Sequence, residues 1–354
     1  MNKPKHSRWH FIGILFAVAL SSCTLNSTPT HAGENKMTEL TKNMQPVCVG
    51  RFVIAIPTVA RIKGWDQNVD RTKIEIITPP STNKRAFDTK TDQQIAALKT
   101  SPSVTDGYSF KDKTQLTQDS NLLTSYNDSG TRYASGGILY NLDAFFWQPA
   151  LEIKFHTSTT DKYLETGVAR ITNVVKSFAP IPTTEINNLP AGLCIEKGMM
   201  MGSTVRPEEV AVSGRIDQYP GVTFSFSTRT SGQPHDGPTM IQRIDHSFGL
   251  GDWMGKEVSA SSTFLRKGKR TLNGQKGEEM VIVFSKDGET RLSADAEFYP
   301  APNTLDKPII TVSLNDQTHD DNTHKPYNKN LTKEEFLALW DALLDGIKLR
   351  PGAI

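Results

Sequence analysis

The sequence predicts an α+β fold made of two similar halves. In each half, a mainly antiparallel sheet packs against a helix. The two halves open alike, with "VCVGRFVIAIP" at Val47 and "GLCIEKGMMMG" at Gly192, and each opening places a cysteine ahead of a short β-prone run. Strands with period-two alternation follow both openings. Each half then ends in an amphipathic helix that stops at a proline, Pro180 or Pro351. Two related α+β domains are therefore expected.

Alternation of apolar and polar residues marks the strands, because successive side chains of a strand point to opposite faces. The pattern is clear at Leu151–Phe155 in the first half and at Val222–Phe226 in the second. The continuous apolar run Met280–Phe284 predicts a central strand or one buried on both faces. The Asp287–Gly288 pair after it predicts a hairpin turn, and alternation over Leu292–Phe298 predicts the returning strand.

The helix near the C-terminus has the clearest start signal. Thr332 is the expected N-cap, and Glu335 three residues later completes a capping box. Apolar residues follow at helical spacing, and the last helix of the first half shows the same spacing. These positions are predicted to be core, and they are Phe336, Leu339, Trp340, Leu343, Leu344 and Ile347 in the second half and Tyr163, Leu164, Val168, Ile171, Val174, Val175 and Phe178 in the first.

The N-terminus has the pattern of a secretory leader. Three basic residues precede the apolar run Trp9–Leu20, which is shorter than the roughly 20 residues that a spanning helix needs. The sequence "LSSC", ending at Cys23, resembles the lipobox of bacterial lipoproteins. That resemblance implies cleavage before Cys23 and attachment of acyl chains such as palmitate to it. The alternative is an ordinary signal peptide that is cut later, after Ala32.

A lipid-anchored chain of this kind is expected in the periplasm. Thr24 stands where an aspartate would favour the inner membrane, so analogy with lipoproteins of Gram-negative bacteria indicates the outer membrane. The following residues are polar and poor in large apolar side chains, as in a flexible tether. The predicted organisation is a signal peptide at 1–22, the tether at 23–45, an N-terminal domain at 46–180, a Pro- and Asn-rich linker at 181–191 and a C-terminal domain at 192–354.

Composition narrows the classes of function. Cleavage at Cys23 would leave 332 of the 354 residues, with 37 basic against 38 acidic residues, because the leader carries three of the 40 basic ones. A charge near zero gives no reason to expect nucleic-acid binding or adhesion to anionic lipid. Two cysteines remain, Cys48 and Cys194. An even count in an oxidising compartment favours a disulfide, and two separate buried thiols are the alternative.

Catalytic and metal motifs are missing from the sequence. It has no Gly-x-Ser-x-Gly elbow, P-loop, dinucleotide fingerprint or His-Glu-x-x-His. The run Asp245–Ser247 has triad residue types, but neighbours on a strand diverge. The run His319–His324 is expected to be a solvated loop, and the pair Glu278–Glu279 an exposed strand start. No catalytic residue, metal, cofactor or small-molecule substrate is therefore predicted.

A glycine-rich segment that carries large apolar side chains is the best candidate for partner contact. Phe248, Trp253 and Met254 lie in "FGLGDWM", and aromatic residues and methionine are enriched at protein interfaces. The alternative is that these side chains fold back onto the sheet. For the similar segment Gly136–Trp147, with three consecutive aromatics, packing into the core is the preferred interpretation.

From about Cys48 to Pro351 the chain resembles the lipase-immunity family of type VI secretion systems. The matching features are "CVGRFVIAIP", the second cysteine in "GLCIEKG", "GEE" before the apolar strand and the closing "LTKEEFLALWDALLDGIKLRP". Their order and spacing over nearly the whole mature chain carry the resemblance. Members of this family neutralise phospholipase effectors in the periplasm.

The resemblance implies two α+β domains arranged like a claw and a function without chemistry. The partner would be a cognate phospholipase effector, inhibited by blocking its substrate entrance or the lid movement that opens it. Tight inhibition would bury at least a standard interface of roughly 1,600 Å². The alternative is a structural or assembly lipoprotein of the envelope that has no effector partner.

Overall fold

The computed structural model describes residues 39–102, 108–127, 137–182, 185–249, 261–286, 289–319 and 325–354. The first half contains α1 Glu39–Lys42, β1 Met44–Val49, β2 Phe52–Pro57, β3 Ala60–Val69, β4 Thr72–Ile76, α2 Lys84–Thr100, β5 Phe110–Thr117, β6 Ser120–Tyr126, β7 Leu139–Gln148, β8 Leu151–Thr160, α3 Leu164–Ser177 and β9 Phe178–Ala179. The second half contains β10 Gly192–Ile195, β11 Gly198–Met201, β12 Glu208–Ile216, β13 Tyr219–Arg229, α4 Met240–Gly249, β14 Ser262–Leu272, β15 Gln275–Lys286, β16 Glu289–Phe298, β17 Ile309–Gln317, α5 Lys333–Asp345 and β18 Lys348–Leu349. Short 3₁₀ turns lie at Asp161–Tyr163 and Ile186–Asn188.

Twelve strands form one antiparallel sheet in which the predicted repeat is visible. Six strands of the first half run in the order β3-β4-β8-β7-β6-β5, and six of the second half run in the matching order β12-β13-β17-β16-β15-β14. The two sets meet where β3 pairs with β12 through nine registered residue pairs, a junction called here the seam. The antiparallel sheets and their packed helices confirm the predicted α+β class.

Two small sheets interlock the halves. The hairpin β1-β2 of the first half pairs with β18, the last strand of the second half. The hairpin β10-β11 of the second half pairs with β9, which ends the first half. Each half therefore contributes its last strand, β9 or β18, to a small sheet whose hairpin belongs to the other half.

The main core lies on one side of the twelve-stranded sheet, called here the inner face. α3 and α5 supply the predicted apolar positions to it, including Ile171 and the fully buried Trp340. The capping box is present, since Thr332 accepts a hydrogen bond from the Glu335 amide and Glu335 accepts one from the Thr332 amide. Tyr163 is a correction, because it lies in the 3₁₀ turn before α3 and is 53% exposed rather than core.

A buried arginine joins the two halves beside the seam. Arg51, which follows β1, is 2% exposed and donates to both carboxylate oxygens of Glu208 on β12, each at 2.8 Å. Its guanidinium also donates to the carbonyls of Gly202 and of Ala353 near the C-terminus. A bidentate arginine–carboxylate pair fixes direction as well as distance. The Arg51 side chain thus sets the position of three segments of the second half.

A second buried arginine, Arg350, organises the connection between the halves. Its guanidinium donates to the carbonyls of Leu189, Pro190 and Gly192 at 2.8 to 3.0 Å. Burial, with the nearby Arg51 charge, lowers the pKa of this guanidinium below its usual value. The predicted linker is therefore packed around a charged side chain, unlike an exposed spacer between domains.

The Sγ atoms of Cys48 on β1 and Cys194 on β10 form a disulfide, with an S–S distance of 1.94 Å. Beside it, Gly50 and Cys194 exchange two backbone hydrogen bonds of 3.0 and 2.7 Å. Ile186 and Leu189 pack against the bond in a small apolar cluster. Ile186 and Leu189 thus differ from residues of an exposed linker, because their side chains are buried against the disulfide.

The ordered fold begins earlier than the predicted end of the tether at residue 45. Leu40 of α1 is 4% exposed and belongs to the main core, and β1 starts at Met44. α2 is an element that the sequence interpretation missed. It is mostly polar and buries only Phe87 and Thr91, so its apolar periodicity was too weak to mark a helix.

Asp316 is a buried carboxyl at the end of β17. It is 3% exposed, and its Oδ2 accepts the Leu331 amide at 2.7 Å ahead of α5. Among the described residues no donor reaches its Oδ1. The pKa of Asp316 is raised from 3.8 to about 6, mainly by burial. The hydrogen bond from the Leu331 amide opposes this shift, and the neighbouring Glu335 charge adds to it. The ionised form is therefore the less favourable one inside the fold.

We expect Asp316→Asn to stabilise the protein at pH 7.5 by roughly 1 to 2 kcal/mol, because the amide keeps the Leu331 hydrogen bond without a buried charge. With the folded pKa above the unfolded value, the wild type loses stability as pH rises from 4 through 6. Urea unfolding across this range should show that loss in the wild type and in the control Asp92→Asn, and not in Asp316→Asn. A less stable Asp316→Asn at pH 7.5 would contradict the assignment.

We expect the double variant Cys48→Ser, Cys194→Ser to lose up to about 5 kcal/mol of unfolding free energy, because the bond closes a long loop in the unfolded chain. The sequence separation of the two cysteines is 146 residues. The measurements are urea unfolding and a thiol titration of the chain from Thr24 onward under denaturing, non-reducing conditions. Two free thiols in the wild type would show that the bond is not formed.

Candidate partner-binding site

The face of the twelve-stranded sheet opposite the core is the candidate site, called here the outer face. Directly opposed residues of an antiparallel ladder point to the same side, so the register defines which side chains lie on it. Two rows cross the seam, from β3 through β12, β13 and β17 to β16. One row is Asp66, Ala211, Ser227, Thr311 and Glu297, and the other is Gly64, Ser213, Ser225, Ser313 and Asp295.

Small side chains occupy the centre of the outer face. Ser213 on β12 and Thr223 on β13 are exposed, as is Arg215, which lies opposite Thr223, and the other residues of the Ser213 row are half-exposed. Hydroxyls form hydrogen bonds across strands: Ser227 bonds with the Thr311 hydroxyl, and Ser313 donates to the Asp295 carboxylate. The sequence had shown these residues only as the polar half of an alternation. The structure adds that they form one continuous surface across both halves.

A charged cluster lies on the same face in the first half. Lys73 and Glu75 of β4 stand 2.7 Å apart, and Asp143 of β7 contacts Lys154 at 3.0 Å and His156 at 2.8 Å, both on β8. The hydrogen bond from Lys73 lowers the pKa of Glu75. Burial would raise the pKa of Asp143, but His156 and Lys154 together hold it below its usual 3.8. Both carboxylates are therefore ionised at neutral pH.

α2 borders the outer face on the side of the first half. The ring of Phe87 stacks on Trp147 with centroids 6.3 Å apart, and the Trp147 indole donates to the Ser81 carbonyl. Lys90 of α2 reaches Glu152 of β8 at 2.7 Å. Glu152 is buried, yet the hydrogen bonds from Lys90 and Ser81 lower its pKa. The helix is thus held to the sheet by apolar packing of Phe87 on Leu123 and Phe145 and by ion pairs that include Lys90–Glu152 and Asp92–Lys113.

α4 borders the outer face on the side of the second half. Met240, at its first turn, packs on Met280 and Ile282 of β15. Glu278 accepts the Ile241 amide at 2.8 Å and the Tyr299 hydroxyl at 3.1 Å, which places a carboxylate at the positive helix end. The run Met280–Phe284 therefore has α4 on one face and the main core on the other, as predicted for a strand buried on both faces.

The predicted partner contacts fall at the end of α4. Phe248 lies in the last turn of this helix, not in a loop, and its side chain lies outside the described residues. Trp253 and Met254 also lie outside them, as does Cys23. The partner contact of these three apolar residues and the lipidation of Cys23 stay predictions.

Two interpretations of polar residues were wrong. Asp245–Ser247 lies in α4 and not on a strand, and there Asp245 pairs with Lys267 while Ser247 donates to the Arg243 carbonyl. Glu279 is 4% exposed, not solvated, because Trp340 of α5 donates its indole N–H to it at 3.1 Å.

Within the described residues, no cluster of three or more His, Cys, Asp or Glu side chains is placed to hold a metal ion. Most of the run His319–His324 lies outside those residues. None of the described helices has the length and apolar character needed to cross a bilayer. Of the Gly136–Trp147 segment, Phe145 and Phe146 are buried on opposite sides of the sheet, in agreement with the preferred interpretation.

Comparison with solved structures finds the same fold in proteins of low sequence identity. A chain in "The crystal structure of Tle4-Tli4 complex" aligns with a TM-score of 0.73 and 20% identity over 88% of this chain and 99% of that chain. The apo structure of the immunity protein TplEi of the type VI secretion system from Pseudomonas aeruginosa aligns with a TM-score of 0.70 and 21% identity over 90% and 99%. TplEi complexed with "L" peptide aligns with a TM-score of 0.66 and 20% identity over 88% of this chain and 99% of that chain.

A protein-family model matches the second half of the chain. Residues 185–352 match the model described as Tle cognate immunity protein 4 C-terminal domain. A comparison with curated proteins found no match. The matched segment begins within the packed connection and ends in the C-terminal tail that contacts Arg51. Residues 185–352 are therefore similar to the C-terminal domain of Tle cognate immunity protein 4, which agrees with the resemblance of the sequence to the lipase-immunity family of type VI secretion systems.

Proposed function

We propose that this chain is an immunity protein that binds one phospholipase effector of a type VI secretion system and inhibits it stoichiometrically. The match of residues 185–352 to an immunity-protein domain carries the proposal. The agreement in fold over 88% of the chain with a protein solved in a Tle4-Tli4 complex supports it.

The mechanism is steric. The inhibitor covers the substrate entrance of the lipase or holds the lid that must open for substrate to enter. The described residues supply a rigid surface for this purpose, since the seam, the disulfide and the buried Arg51 fix the two halves together. Rigidity in the unbound state lowers the entropic cost of association. Inhibition of this kind consumes one inhibitor per enzyme and needs no catalytic residue.

We place the protein in the periplasm, anchored by lipid on Cys23 to the outer membrane. The leader and "LSSC" support this location. More than one acyl chain at Cys23 would supply the two signals that stable anchoring requires. Fifteen residues separate Cys23 from Glu39, where the described fold begins. An inhibitor held in this way would meet an injected phospholipase at the bilayer that the enzyme attacks.

Titration of a phospholipase with the chain from Thr24 onward tests the function. We expect the activity of the effector encoded beside this gene to fall linearly to zero near one molar equivalent, with a 1:1 complex on size-exclusion chromatography. An unrelated phospholipase serves as the control and should keep its activity. Full activity of the cognate enzyme at tenfold excess would reject the proposal and favour an envelope lipoprotein without an effector partner.

Replacement of the lipobox cysteine tests the location. We expect the full-length wild type to incorporate labelled palmitate and to fractionate with outer membranes, whereas Cys23→Ala should lose the label and leave the membrane fraction. Ser22→Ala keeps the cysteine and serves as the matched control. Equal labelling of wild type and Cys23→Ala would show that Cys23 is not the acylation site.

A further inference from the structure

We propose that the outer face, centred on β3, β12, β13 and β17, is the surface that contacts the phospholipase effector, and that one effector molecule covers the seam. The inference rests on the proposed function and names the surface that performs it. Both halves of the chain would then contribute to a single binding site, although the family model matches only the second half.

The small side chains at the centre of the outer face are the first reason. Ser213 and Thr223 are exposed, and Gly64 has no side chain at all. A Cβ at Gly64 would lie 3.0 Å from the Ser213 hydroxyl, so even an alanine there would crowd that hydroxyl. Where the side chains are this short, partner atoms can reach the sheet backbone and the hydroxyl groups directly, beside the exposed Arg215 that lies opposite Thr223. Such a surface loses little side-chain entropy on binding, because serine and glycine have few rotamers to lose.

The size of the surface is the second reason. Six strands, β8, β4, β3, β12, β13 and β17, lie between the helices on the outer face. At a strand spacing of about 4.8 Å and an outward-facing length of about 25 Å, they present on the order of 700 Å². A standard stable complex buries about 800 Å² on each partner. The strands on both sides of the seam are therefore needed, together with the adjoining edges of α2 and α4.

The two edges of the sheet are less suitable as binding surfaces. β5 carries Lys111 and Lys113 and has two register shifts, and β14 carries Lys267 and Lys269 and has one. Lysines and bulges on an edge strand oppose the addition of another strand. The inner face is filled by the main core and its helices. The outer face is the broad sheet surface that remains among the described residues.

Charge at the two ends of the outer face supplies specificity. The first half presents Lys73, Lys154 and His156 beside two carboxylates, whereas the second half presents Asp295 and Glu297. Lys73 and Lys154 are paired with Glu75 and Asp143, and Glu297 is paired with Arg243, so an effector that covers this face has to match alternating charges and not a patch of one sign. Such complementarity selects partners and steers encounter more than it adds affinity.

Bulky substitutions on either side of the seam test the surface. Asp66→Tyr on β3 and Thr223→Tyr on β13 place a large ring at exposed outer-face positions, and tyrosine is favoured in strands. Thr166→Tyr, at an exposed position of α3 on the other side of the sheet, is the matched control. The measurements are calorimetric titration with the cognate effector and thermal unfolding of each full-length mature variant.

We expect each of the two outer-face variants to bind the effector at least about 30-fold more weakly, as substitutions at the centre of a protein interface do. Both variants should keep the unfolding temperature of the wild type. The Thr166→Tyr control should bind like the wild type. Wild-type affinity in both outer-face variants would overturn the inference and leave the proposed function standing. Weaker binding by Thr223→Tyr alone would overturn the claim that the effector covers the seam. Failure of the wild type itself to bind would instead reject the proposed function.

Discussion

The buried Arg51 side chain is the constraint on which the arrangement of the two halves depends. A guanidinium with 2% exposure is tolerated only because Glu208 and the carbonyls of Gly202 and Ala353 surround it. Removing one partner of such a pair leaves an uncompensated buried charge, which costs about 3 to 5 kcal/mol. The opening hairpin, the first strand after the seam and the C-terminal tail must therefore occupy one relative arrangement.

The exchange of terminal strands strengthens this constraint. β18 cannot pair with β2 unless the end of the chain returns to its beginning, and the Arg350 amide then donates to the Arg51 carbonyl at 2.9 Å. The disulfide adds a covalent link between the two opening hairpins. These contacts all lie away from the outer face. The molecule thus separates the interactions that hold the halves together from the surface that is free to meet a partner.

The elements that were predicted correctly are specified by residues that lie close together in the sequence. The capping box of α5 spans four residues, and the repeat of opening hairpin and closing helix is readable along the chain. The features that were missed depend on distant contacts. Glu208 is 157 residues from Arg51, and Glu279 is buried by an indole 61 residues away. Period-two alternation identifies a polar face, but it does not tell whether a helix covers that face, as at β15, or leaves it open, as at β13.

Under the proposed function, this separation would let an inhibitor change its partner contacts without losing its fold. Stability resides in the apolar inner face, where deleting a side chain such as Phe224 would leave a cavity costing about 3 to 5 kcal/mol. Outer-face positions such as Ser213 and Thr223 are small and exposed, and surface substitutions of that kind usually change stability by less than about 0.5 kcal/mol. Recognition can therefore vary at positions that the core does not need. Under the proposed function, such a division of roles predicts a conserved inner face and a variable outer face among relatives, because only the outer face would have to follow changes in the effector.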